Sequence, residues 1–172
     1  MELFAALQTD TDPLPLCWGL SFVRGYLELG MIAAAERELA RLSVRHRCYA
    51  DVIELRIRVL LARHRYDKAA WLARSAAKVY PGVAEFYLFA SRAYEALGRH
   101  DQAKEVWISA PSLFHVSGIF HFNLARYEAK LGNPASARQH IKLAIELDPA
   151  MQDRAKADPG LCELLEPKPA GN

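Results

Sequence analysis

The 172-residue sequence is poor in the features that by themselves announce a function. Its charge is nearly balanced, 22 Lys+Arg against 20 Asp+Glu, and a net charge of +2 gives no bulk field to draw in nucleic acid or an anionic membrane. Three cysteines, Cys17, Cys48 and Cys162, are odd in number and far apart. That excludes a disulfide framework and a CxxC metal site, and leaves them as packing residues. No apolar run reaches the roughly 18 to 20 residues of a membrane span. The opening MELFAALQTDTD is acidic where a secretory signal is basic, so a cytoplasmic location is expected. Six histidines are scattered without HExxH spacing. There is also no GxSxG, no glycine-rich phosphate loop and no motif that sets a cysteine against a histidine. No metal, cofactor, small-molecule substrate or catalytic residue is therefore expected, and the chain is not expected to be an enzyme.

What the sequence does have is a period. Gly30, His64, Gly98 and Gly132 are spaced by 34 residues, and Ala35, Ala69, Ala103 and Ala137 follow at the same interval. Four alanines in register mark places where two helices cross so closely that only a methyl group fits. A further column holds Leu42, Ala76, Ala110 and Ala144, and Pro81 and Pro149 close the second and fourth units. Leu20, Val23 and Leu27, like Val52, Leu55 and Val59, recur at threes and fours, the helical period. Helix pairs are expected near 16–29 and 32–45, 50–63 and 66–79, 84–97 and 100–110, and 118–131 and 134–147. Pro111 should end the third pair's second helix early, and Asn133-Pro134 should cap the last helix.

The stretch NLARYEAKLGNPASARQHIKLAIELDP carries Leu124, Ala125, Gly132, Ala137, Ala144 and Pro149 at positions 7, 8, 15, 20, 27 and 32 of its unit. It resembles the tetratricopeptide repeat. The resemblance extends over residues 16–151 and implies an all-α, right-handed superhelical solenoid of four antiparallel helix pairs, in units 16–49, 50–83, 84–117 and 118–151. Residues 152–172 then form a capping helix and tail that hide the last apolar face, and residues 1–15, with Leu3, Phe4 and Leu7, form an arm or short cap. Two departures stand out, Arg56 at an apolar position and His64 in place of a turn glycine. The chain is also similar to small stand-alone bacterial tetratricopeptide proteins.

Position 9 of every unit is arginine: Arg24, Arg58, Arg92 and Arg126. Arginine supplies 15 of the 172 residues, so a full column by chance has a probability on the order of 0.0001. The resemblance implies that first helices line a concave surface and that position 9 faces it. Guanidinium groups about 10 Å apart repel by about 0.4 kcal/mol even in water. Glu28, Glu54 and Glu95 stand one helical turn from Arg24, Arg58 and Arg92, but Arg126 has no carboxylate at i±3 or i±4. The column is either a ligand surface or an inherited structural feature. As a ligand surface it predicts a peptide-binding groove made of Arg24, Arg58, Arg92, Arg126, Asn123, Lys130, Leu88 and Phe122, with Leu20, Leu27 and Leu61 as further apolar lining, and Arg126 as its open charge.

A local excess of six positive charges between Arg37 and Arg74 includes Arg37, Arg41 and Arg45, an i,i+4 stripe along the first unit's second helix. No aromatic platform accompanies it, so nucleic acid is not an expected partner. Trp18, Trp71, Trp107 and Tyr94 are expected in the core. The resemblance also invites comparison with modules that clamp a chain-terminal carboxylate, but the clamp places read Leu20, Arg24, Leu55, Glu85 and Phe89 here, so that clamp is absent. The function expected is that of a monomeric adaptor or scaffold binding an acidic, extended or helical segment of a protein or peptide. The alternative is a chaperone-like holder of secreted or assembling subunits through an apolar groove.

Overall fold

Each 34-residue unit folds as two helices. The computed structural model describes residues 16–165. The pairs are α1 (Leu16–Glu28) with α2 (Ile32–Arg41), α3 (Ala50–Ala62) with α4 (Tyr66–Val79), α5 (Ala84–Ala96) with α6 (His100–Ile108), and α7 (Gly118–Lys130) with α8 (Pro134–Leu147). Two short helices follow, α9 (Met151–Ala157) and α10 (Cys162–Leu165). Among the described residues there is no strand, and the fold is an all-α array of packed helix pairs. The expected arm over residues 1–15 and the tail over 166–172 lie outside the described residues.

The shared positions explain the shared shape. The turn residue inside each pair sits in the left-handed region, with φ of 69° at Gly30, 71° at Gly98 and 80° at Gly132, where a glycine ends a helix at no steric cost. His64 takes the same conformation at φ 56°, its Nδ1 lying 2.6 Å from the Tyr66 hydroxyl. Five residues on, Ala35, Ala69, Ala103 and Ala137 are each 0% exposed. The first helices answer with Val23, Ile57, Ser91 and Ala125, also 0% exposed. Nothing larger than a methyl group fits on the second helix at these crossings.

The pairs end in two ways. α4 and α8 each run 14 residues and stop just before Pro81 and Pro149. α6 has 9 residues and α2 has 10, and each gives way to a 3-10 turn, Ser112–Phe114 and Val44–His46. Pro111 accounts for the first. The second corrects the sequence expectation of a helix to residue 45: Leu42 turns extended, is buried, and packs against Gly19. Arg37, Arg41 and Arg45 therefore form no continuous stripe. Arg41 pairs with Glu38 at 3.0 Å, and Arg45 lies in the 3-10 turn.

Three apolar clusters run along the array. Leu20, Val23, Leu39, Val52 and Leu55 hold its start, Ile57, Phe86, Phe89, Trp107, Phe120 and Tyr127 its middle, and Phe122, Ile141, Met151, Ala155 and Leu161 its end. The last cluster is where the cap closes the solenoid, with Leu161 at 0% exposure. Gly118 permits this closure, because a Cβ there would meet Asp148 Cβ at 2.7 Å and the Ala144 carbonyl at 2.9 Å. The tryptophans divide. Trp107 is buried and donates to Ser91 Oγ at 3.0 Å, and Tyr94 is buried, but Trp18 and Trp71 are 58% and 70% exposed. The expectation of core tryptophans fails for those two: Trp18 lies on the first described helix, where no earlier pair covers it among the described residues, and Trp71 is exposed on α4.

α1 packs on α3 and α3 on α5, and α2, α4 and α6 each pack on the next first helix. The second helices barely touch one another. Over the first three pairs the first helices thus form the tighter, inner layer, while α5 and α7 touch one another as sparsely as the second helices do.

Replacing the strained turn residue, His64→Gly, is expected to raise stability by about 0.5–1 kcal/mol, since relief of the left-handed conformation exceeds the extra chain entropy of glycine. Urea denaturation checks this. A loss of stability would mean that the His64–Tyr66 bond outweighs the strain.

Candidate functional site: an arginine row on the inner layer

Position 8 of each first helix is fully buried and position 9 lies about 100° further round, and in the last pair Arg126 at that position reaches Glu95 on the neighbouring first helix. This is how one repeated arginine becomes a row. Arg24 and Arg92 are exposed, the Arg58 side chain is 35% exposed, and that of Arg126 is 22% exposed.

The ion pairs overturn the expected distribution of charge. Arg126, expected to be open, is the most fully neutralised of the four. Its Nη2 reaches Glu95 Oε1 on α5 at 2.7 Å, and its Nε donates to Asp158 Oδ2 after α9 at 2.8 Å. Lys130 also bonds Glu95. Glu95 therefore serves the next helix pair and not Arg92 on its own helix. Among the described residues Arg92 has no ion pair, and neither has Arg24, with Glu28 beyond contact distance. Only Arg58 keeps its same-helix partner, Glu54, at a loose 3.8 Å, a contact of little strength. Partners at i±3 and i±4 were the wrong neighbours to count. Stacking puts residues 31 and 32 apart in direct contact, which is where Glu95 and Asp158 stand relative to Arg126.

The other expected groove residues also change character. Asn123 is 2% exposed and donates to the Ile119 carbonyl of its own helix at 2.8 Å, so it presents no amide to a ligand. Phe122 is 6% exposed, packs under the cap, and carries the Arg154 guanidinium 5.0 Å from its ring centroid. Leu20 is buried as well, and Leu27, Leu61 and Leu88 are half-buried against the core. From α3 to α7 the first helices are consequently polar where they are open and closed where they are apolar, whereas α1 leaves Trp18 and Phe22 exposed. Asp158 and Arg154 are the residues that sequence reasoning missed, and Glu95 is the one it assigned to Arg92 in place of Arg126. Arithmetic at the repeat period, not at the helical period, would have found the two carboxylates.

Charge is unbalanced toward the first three helix pairs. Arg24, Arg58 and Arg92 project there with one loose carboxylate between them. The guanidinium of Arg56 is held below its ordinary pKa, first by burial and then by neighbouring Arg47. At the other end Glu128, 6% exposed, bonds Lys104 at 2.7 Å and accepts from Asn133 at 2.9 Å. Burial raises the Glu128 pKa, but the bonds to Lys104 and Asn133 overcome this and hold the carboxyl below its usual range. His121 and His140 set their Nδ1 atoms 3.1 Å apart, and burial lowers both pKa values. Among the described residues no three His, Cys, Asp or Glu side chains are arranged to hold a metal ion, and no helix is long and apolar enough to cross a membrane.

Comparison with known proteins agrees with this architecture. Two family models, each described as a tetratricopeptide repeat, match residues 55–106 and 120–151. A crystal structure described as that of a thermophilic TPR protein in Thermus thermophilus superposes with a TM-score of 0.65. It is 21% identical, over 79% of this chain and 77% of that one, which makes it a likeness of fold. No curated protein matches the sequence.

The cap is tied to the inner layer through Asp158, whose Oδ1 also accepts from the Gly160 amide at 2.9 Å. Asp158→Asn keeps that turn and removes the charge facing Arg126, so it is expected to cost about 1–2 kcal/mol. Equilibrium denaturation would register the loss, and an unchanged midpoint would mean that the pair is idle.

Proposed function

From the premise that this chain is a tetratricopeptide-repeat protein, we propose that it is an interaction scaffold, without catalytic activity, whose inner layer binds an acidic, extended or helical segment of a partner protein. The observation that supports the reading is the column Arg24, Arg58 and Arg92 on successive first helices, three guanidinium groups with a single loose carboxylate partner among the described residues. Guanidinium forks suit carboxylates, which they grip with two parallel bonds. Arg126 belongs to the scaffold that holds the row, because Glu95 and Asp158 already occupy it. Lys130 shares Glu95 and belongs with Arg126, while the half-buried Leu88 is the apolar residue that extends the surface.

The alternative, a holder that grips apolar surface within the groove, finds less support. Leu20 and Phe122 are buried and Trp71 sits on α4, in the outer layer, so the exposed large apolar side chains of the first helices come down to Trp18 and Phe22 at the start of the array.

The two readings differ in their response to salt. A fluorescein-labelled Glu-rich peptide of about twelve residues is expected to bind, and to weaken at least about tenfold when salt rises from about 50 to 500 mM. The triple variant Arg24→Ala/Arg58→Ala/Arg92→Ala should lose at least about tenfold in affinity with its melting curve intact. Binding that ignores both salt and the triple variant would remove the arginine row from the mechanism and favour the apolar holder.

A further inference from the structure

α6 stops at Ile108, shortly before Pro111, whereas α4 beside it continues to Val79. The last turn of α4 is therefore left without a neighbour in the outer layer, and a cavity of about 370 Å³ opens there. Its size falls within the range of organic-ligand and side-chain sites. Ala77, Ala90 and Val106 line its apolar floor, with Pro81 and Pro111 at its end. The depth follows from one repeat position. The equivalents of Ala90 are Phe22, which is exposed on α1, Arg56, which lines the corresponding cavity between α2, α3 and α4, and Leu124, which is buried.

The rim is cationic. Arg74 and Lys78 stand one helical turn apart, both exposed, and among the described residues neither has an ion pair. Arg74 Nη1 donates to the Tyr94 hydroxyl at 3.2 Å, a neutral acceptor that steadies the guanidinium and leaves its charge uncompensated. A second cavity of about 290 Å³ shares Arg74, Val106 and Ser109 with the first and continues to Gln102 and Glu105. Together they make a trough longer than one side chain, which suits a chain better than a compact molecule. Glu105 lies across from Arg74 without forming an ion pair with it.

The geometry points to a second docking site, on the outer layer, for an extended segment of a partner protein that seats one bulky apolar side chain over Ala77, Ala90 and Val106 and sets an Asp or Glu carboxylate on Arg74 and Lys78. The placement of the two features fixes the spacing: Arg74, Ala77 and Lys78 lie within about one turn of α4 and line one cavity, and an extended chain rises about 3.3 Å per residue. The carboxylate therefore belongs within two residues of the apolar anchor. The site shares no residue with the arginine row, so either can hold without the other.

The probe is a short labelled peptide with blocked ends, one Phe and one adjacent Glu among glycines, followed by fluorescence anisotropy with the full chain. It is expected to bind below about 1 mM, and Phe→Ala or Glu→Gln in the peptide should each weaken it by at least about fivefold. Arg74→Ala/Lys78→Ala in the protein should weaken it equally, whereas Arg24→Ala/Arg58→Ala/Arg92→Ala should not. Because Arg74 and Lys78 are exposed, the folded state is expected to survive, and Ser109→Trp provides a second block by filling the trough. No binding at about 1 mM, or affinity indifferent to the Phe or to both trough variants, would overturn the proposal.

Discussion

The close crossing of the two helices in each pair is the constraint on which the rest depends. Four alanines 34 residues apart, Ala35, Ala69, Ala103 and Ala137, are fully buried and face first helices whose own position 8 is fully buried. With the same small residue at each crossing, the pairs share one geometry there although their second helices differ in length, and stacking them lines up equivalent positions. The arginine row follows from this. A side chain one step round the helix from a fully buried position is carried to the same side of every first helix, so a residue repeated in sequence is repeated in space.

Stacking also decides which charges meet. Within one helix the neighbours are three and four residues away, but across the array they are about one repeat away. Glu95 and Asp158 reach Arg126 from either side at 2.7 and 2.8 Å, and Arg63–Glu36 and Arg99–Asp67 join neighbouring pairs in the same manner at 2.9 and 3.1 Å. The cap acts here as a shortened further unit. It brings Leu161 to close the apolar end and Asp158 to close the charged one. The open arginines are left where no such partner arrives, in the first three pairs.

The helix pairs, their turns and the crossing alanines were legible in the sequence because each is a local requirement written at a fixed interval. Even the irregular His64 kept its place, taking the left-handed conformation of its glycine counterparts. The early end of α2 was not legible. Its cause is a tertiary one, the packing of Leu42 against Gly19, and no proline marks it. The site was only half legible. The column of arginines could be read and the fate of each charge could not, since that depends on which helix supplies the nearest carboxylate. Phe122 and Asn123 looked like groove residues for the same reason, as the cap that buries the first carries no sequence mark of where it folds back. Trp18 and Trp71 show the converse: large apolar side chains at helical spacing that packing leaves outside.

The account therefore divides four equivalent residues into three that are open to a partner and one that is already held. The Nε–H resonances of Arg24, Arg58, Arg92 and Arg126, followed by NMR while a Glu-rich peptide is added, examine that division directly. Movement of the first three signals, with the Arg126 signal fixed by its bond to Asp158, is the result predicted. Movement of Arg126 alone, or of none of the four, would contradict it.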